Sequence, residues 1–239
     1  MASQFGILAK LNFLQNWTSG LISSVNPAII HNIEKYYVMK KVFYLSAIEN
    51  LAGDYLEFGV FTGSSFCHSL RCCHKAQNLN KDFKKMKFFG FDSFEGFGEL
   101  TEEDKHAFYT DVNFLTDYDK VLSRVKKVSK GIDVNLVKGY FNETLSCGPT
   151  KYNISKARIL FVDSDTYSSA KEALNFCTTL VQQGTYIILD DYFSYNGRLD
   201  LGVAGAFEEF KLENRIKVRE VFTYGMGGRV FVVSSIEIK

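Results

Sequence analysis

Scarcity narrows the class of this 239-residue chain before any motif is read. It holds two prolines, one tryptophan and no apolar run of about 18 residues, the length a bilayer-spanning helix needs. The N-terminus has no cationic start followed by an apolar core and a small-residue cleavage site. Charge of one sign is missing too. Twenty-eight Lys and Arg face 27 Asp and Glu, so no basic surface argues for nucleic acid and no acidic tail argues for disorder. The five cysteines (Cys67, Cys72, Cys73, Cys147, Cys177) are odd in number and include no C-x-x-C pair. They are expected to be reduced, mostly buried thiols, in a protein that works in the cytoplasm without membrane attachment. No internal repeat or Gly/Ser-rich linker divides the chain, whose length suits one substantial α/β domain.

What is present reads as helices followed by alternating strands and helices. Phe5, Leu8, Leu11, Leu14, Trp17 and Leu21 recur at helical spacing. Asn26–Pro27 then has the form of an N-cap with proline at the first helical position of a long amphipathic helix. Strands are predicted at 54–60, 85–92, 133–139, 157–163, 185–190, 216–222 and 229–235. Helices are predicted near 64–80, 117–130, 169–183 and 203–214. Ser169 with Glu172 has the form of a capping box, and Gly184 stands where a helix C-cap glycine belongs. "TYGMGG" is too short for a crossover helix, so the last two strands must pair as an antiparallel hairpin. The predicted fold is therefore α/β: a doubly wound, mostly parallel seven-stranded sheet ending in an antiparallel hairpin, of the methyltransferase type, behind N-terminal helices.

The first strand runs into "LEFGVFTGSSF". Gly59 and Gly63 permit a tight turn and close backbone approach, and the helix beginning at Ser64 offers unpaired N–H groups. The spacing is G-x-x-x-G, which misses the nicotinamide fingerprint. Glu57 would repel a pyrophosphate but suits a ligand with an amino group, such as S-adenosylmethionine. Asp92 ends the second strand, where doubly wound folds take ribose hydroxyls, and Ser93 follows it. After the third strand, Tyr140 and Phe141 are candidates to flank an adenine ring.

Two neighbouring strands end in carboxylates, "FVDSDT" and "YIILDDYF". An aspartyl phosphatase reads D-x-D-x-T, but it also needs Ser/Thr and Lys from strand ends lying between its acidic motifs. Only one helix separates these two. A divalent metal needs less: consecutive parallel strands lie side by side, so Asp163 converges with Asp190 and Asp191 into a hard-oxygen set suited to Mg²⁺. Asp165 is a second candidate on the same side as Asp163.

The segments "YLEFGVFTGSS", "GFDSFEGFGELTEEDK", "VKGYFNETL", "FVDSDTYSSAKEAL" and "GTYIILDDYFSYNG", in this order, resemble the macrocin O-methyltransferase family from about residue 35 onwards. The resemblance implies a class I, S-adenosylmethionine-dependent enzyme that methylates a hydroxyl of a sugar or glycosylated metabolite with Mg²⁺. It implies Glu57, Gly59, Gly63, Asp92 and Ser93 around the cofactor, and Asp163, Asp190 and Asp191 around the metal. The chain departs from the family at "LGVAGAF", where Val203 replaces an acidic residue at a segment that borders the family's acceptor pocket. No histidine is placed as general base, His106 lying in the loop after "DSFEG".

The chemistry expected is in-line displacement at the sulfonium-activated methyl, with Asp163 or Asp191 taking the acceptor's proton. Residues 1–52 are expected to form a helical lid and dimerisation segment, with Tyr36 and Tyr37 candidates to line the lid. Residues 53–239 are expected to form the methyltransferase unit, and pairing through the N-terminal helices is expected to give a homodimer. A metal-independent methyltransferase on a carboxylate or amine, a silent binding module and a hydroxylase-like relative remain alternatives, because this sheet hosts many chemistries.

Overall fold

The computed structural model describes residues 11–110 and 114–237. Two helices lead: α1 (Asn12–Ser24) and α2 (Pro27–Ile48). Phe5 and Leu8 of the predicted first helix lie outside the described residues. Asn26 caps α2 as expected, its side chain accepting the Ala28 N–H at 2.9 Å with Pro27 at the first helical position. The strands are β1 (Asp54–Phe58), β2 (Phe88–Asp92), β3 (Val134–Lys138), β4 (Ala157–Val162), β5 (Tyr186–Leu189), β6 (Ile216–Tyr224) and β7 (Gly228–Ile236). Between them run α3 (Ser64–Ala76), α4 (Tyr118–Ser129), α5 (Tyr167–Phe176) and α6 (Gly202–Glu213).

The strands form one sheet in the order β3-β2-β1-β4-β5-β7-β6. β1 to β5 are parallel, while β7 runs antiparallel to both β5 and β6. Every residue of β4 and β5 is buried, which explains why the central strands read as continuous apolar runs. Alternation sorts the core onto two faces. Tyr55, Phe88, Ile159, Phe161 and Ile188 pack towards α2, α3 and α4, and Leu56, Phe89, Leu160 and Ile187 pack towards α5 and α6. The C-terminal half of α2 belongs to the first core: Val38, Met39, Val42 and Phe43 are buried there. α1 has no buried residue. Among the described residues no helix is long and apolar enough to cross a membrane. All five cysteines are free thiols, four of them buried.

Two local expectations fail. The N-cap of α5 is Thr166, whose Oγ1 accepts the Ser169 N–H, so Ser169 sits inside the helix and forms no capping box. That helix ends at Phe176 with Cys177 as its cap, well before Gly184. Gly184 instead takes φ +92° at the entry to β5, packed on Leu51, a conformation and a fit that a side chain would disturb.

Candidate active site

The carboxyl ends of β1, β2, β4 and β5 open into one cavity of about 440 Å³, walled on its far side by α2 and by the loop after β2. Parallel strands bring their ends to one sheet edge, which is where open α/β sheets bind ligands. Three non-glycine residues adopt left-handed backbone just past strand ends: Phe61 (φ 49°), Phe94 (φ 58°) and Asp165 (φ 61°). Such conformations carry strain and concentrate at functional sites.

At the β1–β2 end the chain is shaped by backbone. A Cβ on Gly59 would lie 1.8 Å from the Asp163 carbonyl oxygen, and φ there is +90°. Only glycine lets β1 pass this close to the end of β4. Gly63 (φ +75°) is the N-cap of α3, with room for little beyond hydrogen against Val121. Asp92 ties the turn together: Oδ2 accepts the N–H groups of Val60 and Phe61 at 2.7 Å each, and Oδ1 accepts that of Phe94 at 2.6 Å. Burial pushes its carboxyl up, and these three donors oppose the shift. Ser64, Asp92, Ser93, Tyr140 and Phe141 all line the cavity. Glu57 stands behind that wall, fully buried. It accepts the hydroxyls of Tyr55 and of Ser65, and Ser65 does face the cavity. Burial pushes Glu57 up to about 8 against those hydrogen bonds.

The β4–β5 end is shaped by side chains. Asp163, Asp190 and Asp191 each offer an oxygen within 4.8 Å of the others. Asp165 also lines the cavity and hydrogen-bonds Asp191, so both candidates from "DSD" are present. The cluster contains one ammonium. Lys35 of α2 lies 2.6 Å from Asp190 Oδ2 and 3.2 Å from Asp163 Oδ2. Burial works against its charge, but Asp163 and Asp190 outweigh that and hold it protonated beyond its ordinary range. Burial likewise pushes Asp190 up, yet Lys35 and then His31 reverse the shift and hold it below the usual carboxylate range. Asp163 goes the other way, raised by burial and by its neighbour Asp190, so the ion pair proper is Lys35–Asp190. Asp191 is pushed up to about 6 by burial and Asp190. Four carboxyl groups and one ammonium make a hard-oxygen donor set in which burial and neighbouring carboxylates raise Asp163, Asp165 and Asp191, a crowding that a divalent ion of the magnesium kind would relieve.

Several partners of this cluster are residues that the sequence did not single out. His31 Nδ1 accepts the Met226 N–H at 3.2 Å, so its proton sits on Nε2 and is given to Asp190 at 3.2 Å. Tyr224 donates to Asp190 Oδ1 at 2.6 Å. Tyr109 reaches Ser194 at 2.6 Å and Asp191 at 3.3 Å. Its loop is pinned by Asp104, which accepts the backbone and hydroxyl of Ser168 and the hydroxyl of Thr101. His106 stacks near Tyr109 and Tyr195 without lining the cavity. Tyr36 stacks on His68 and lines the cavity, whereas Tyr37 is 62% exposed outside it. Val203 is fully buried in the α5–α6 core and does not border the cavity. A readable signal did exist: His31 and Lys35 occupy the same i, i+4, i+7, i+11 stripe of α2 as Val38 and Val42, an apolar face where charge is out of place.

The macrocin-O-methyltransferase (TylF) model matches residues 36–222. The chain belongs to the macrocin-O-methyltransferase family. Demethyldecarbamoylnovobiocin O-methyltransferase of Streptomyces niveus is 27% identical over 150 residues, 60% of this chain and 54% of that protein. The match thus spans about half the length of that curated relative. The O-methyltransferase NovP shares the fold with a TM-score of 0.68 at 21% identity, over 84% of this chain and 79% of its own. The calicheamicin methyltransferase CalS11 does so with a TM-score of 0.68 at 16% identity, over 90% and 85%. The expected seven-stranded class I methyltransferase sheet is the observed one. The family match starts just after Lys35 and stops short of Tyr224, so all three side-chain donors described on Asp190 (His31, Lys35 and Tyr224) lie outside it.

Proposed function

We propose that this protein is an S-adenosylmethionine-dependent O-methyltransferase acting on a hydroxyl of a sugar or other natural-product acceptor. The observation that carries the reading is the single cavity that joins the glycine turn to the carboxylate cluster. Gly59, Gly63 and Ser64 shape the turn, with Glu57 supporting it through Ser65. Asp92 and Ser93 stand at the ribose position, and Tyr140 and Phe141 flank the base. A relative named demethyldecarbamoylnovobiocin O-methyltransferase and a structural neighbour named TDP-rhamnose 3'-O-methyltransferase support a sugar-bearing acceptor.

The chemistry asked of the chain is modest. An acceptor oxygen attacks the methyl carbon, the carbon–sulfur bond breaks, and S-adenosylhomocysteine and a methyl ether result. The hydroxyl proton passes to a carboxylate oxygen of Asp163 or Asp191. Alignment within the cavity supplies most of the acceleration. Asp163, Asp190 and Asp191 would hold Mg²⁺, which when bound supplies Lewis acidity towards the acceptor hydroxyl. The loop bearing Tyr109, clasped by Asp104, would close over the acceptor side.

α1 and the first turns of α2, which carry no buried residue, are read as a lid and dimerisation segment. α1 has no charged side chain, and Phe13, Trp17 and Ile22 on it are exposed. Lacking the cationic face of an interfacial membrane helix, it suits a second copy of this chain. Sedimentation equilibrium at micromolar concentration should give a dimer; a monomer would remove this part.

Calorimetric titration with S-adenosylhomocysteine, with Mg²⁺ and then with chelator, tests the main reading. Micromolar binding in both conditions is expected. Absence of binding in both would overturn the assignment.

A further inference from the structure

Lys35 stands where a metal ion would. Its side chain is 9% exposed and enters the cluster from α2, with Nζ 5.5 Å above the Phe161 ring. Nζ bridges Asp163 Oδ2 and Asp190 Oδ2, the gap an ion shared by those carboxylates would occupy. Magnesium needs an oxygen at about 2.1 Å and a nearly ideal octahedron. An ammonium already in contact with both oxygens takes their lone pairs and that space.

Asp190 shows how little is left. Oδ2 accepts from Lys35 and from His31, and Oδ1 accepts from Tyr224. Two of these donors are fixed by the fold. His31 is held by the Met226 N–H, on a helix further tied to the hairpin by Glu34, which accepts the Gly225 N–H at 2.6 Å. Tyr224 is buried at the end of β6. Lys35 alone has a long flexible side chain and open space beside it, since it lines the cavity.

We propose that Lys35 is a built-in competitor for the divalent ion, and that metal loading requires its ammonium to swing out from between Asp163 and Asp190 into the cavity. The inference rests on the metal-binding reading of the cluster. Unloaded, the lysine neutralises part of the buried charge; loaded, it is displaced towards the acceptor. Metal occupancy is thereby coupled to a side chain of the N-terminal helix.

The test reads metal binding directly. Mn²⁺ would be titrated calorimetrically into wild type, Lys35→Met and Lys35→Arg, each checked for folding and for S-adenosylhomocysteine binding. Lys35→Met should bind Mn²⁺ at least tenfold more tightly than wild type, and Lys35→Arg no more tightly than wild type. Equal or weaker binding by Lys35→Met overturns the proposal, as does an absence of Mn²⁺ binding in both. In either case retained S-adenosylhomocysteine binding leaves the methyltransferase reading standing. Should Lys35→Met fail to fold, wild-type protein with isotopically labelled lysines decides the matter. Saturating Mg²⁺ should move the Lys35 side-chain resonance to that of an exposed lysine, and an unmoved resonance overturns the displacement.

Discussion

The two ends of the cavity are built in opposite ways. At the β1–β2 end the shape comes from backbone: Gly59, Gly63 and the three N–H groups gathered by Asp92. At the β4–β5 end it comes from side chains, four carboxylates and one ammonium delivered from three separate segments. Backbone geometry holds a rigid, generic ligand; clustered charge is tuned and responsive. A methyl donor that never varies would sit at the first end, and the acceptor and proton traffic at the second. If that division is right, substitutions at the two ends should fail in different ways.

The largest effect is expected at the acidic end. Asp191→Ala should reduce methyl transfer by about 10²–10⁴, the range for removal of a positioned acid–base group, while S-adenosylhomocysteine affinity stays within about threefold. Steady-state kinetics beside calorimetry would show the split. Loss of cofactor binding in this variant would break the division of labour.

Gly59→Ala tests the backbone end and should not be separable in this way. The added Cβ would lie 1.8 Å from the Asp163 carbonyl, at a φ that alanine avoids. Relief requires β1 and β4 to part, so a stability loss of about 3 kcal/mol or more is expected in urea unfolding. Cofactor binding and transfer should fall together, because the same backbone contact sets the position of Asp163.

Glu57 lies beneath the backbone end and predicts a pH dependence. Burial raises it from an ordinary 4.5 to about 8. Below about 4.5 both folded and unfolded chains carry the proton, and the group costs nothing. Between those values only the folded chain keeps it, so its contribution falls as pH rises and is lost above 8. Glu57→Gln should therefore be stabilised relative to wild type at pH 9 and gain little at pH 4 in paired thermal melts. A difference independent of pH would mean that Glu57 is already ionised in the folded protein.

The same contrast explains what was legible in the sequence. The glycine turn was readable because a position that admits no side chain leaves glycine in the sequence, and the strand-end aspartates because apolar runs stop at them. The hairpin followed from loop length and the adjacency of β4 and β5 from the single helix between them, whereas the full strand order was not read from the sequence. The far wall was less visible. His31 and Lys35 precede β1 in the chain and reach β4 and β5 only through the packing of α2 on α3 and β6. Tyr224 lies beyond the predicted end of its strand, since β6 runs two residues further than the alternation suggested. Local capping was misread for a related reason: Thr166 and Ser169 are both competent caps, and the exit angle from β4 through left-handed Asp165 selects the first.

The smallest effect joins the two ends through the helix that crosses them. Asn26 caps α2 with an exposed side chain, so Asn26→Ala should cost about 1 kcal/mol, or roughly 2–4 °C in melting temperature. The loss should not spread along the helix. From Lys35 onwards α2 is packed into the core, and at His31 and Glu34 it is tied to the β6–β7 hairpin. Hydrogen exchange should therefore quicken over residues 28–30 and stay slow from 35 onwards. S-adenosylhomocysteine affinity should be unchanged, since the glycine end does not depend on that first turn. Faster exchange reaching residues 35–39 would instead mean that the helix carrying Lys35 moves as one piece. The acidic end would then be gated by its wall, through motion of the whole helix.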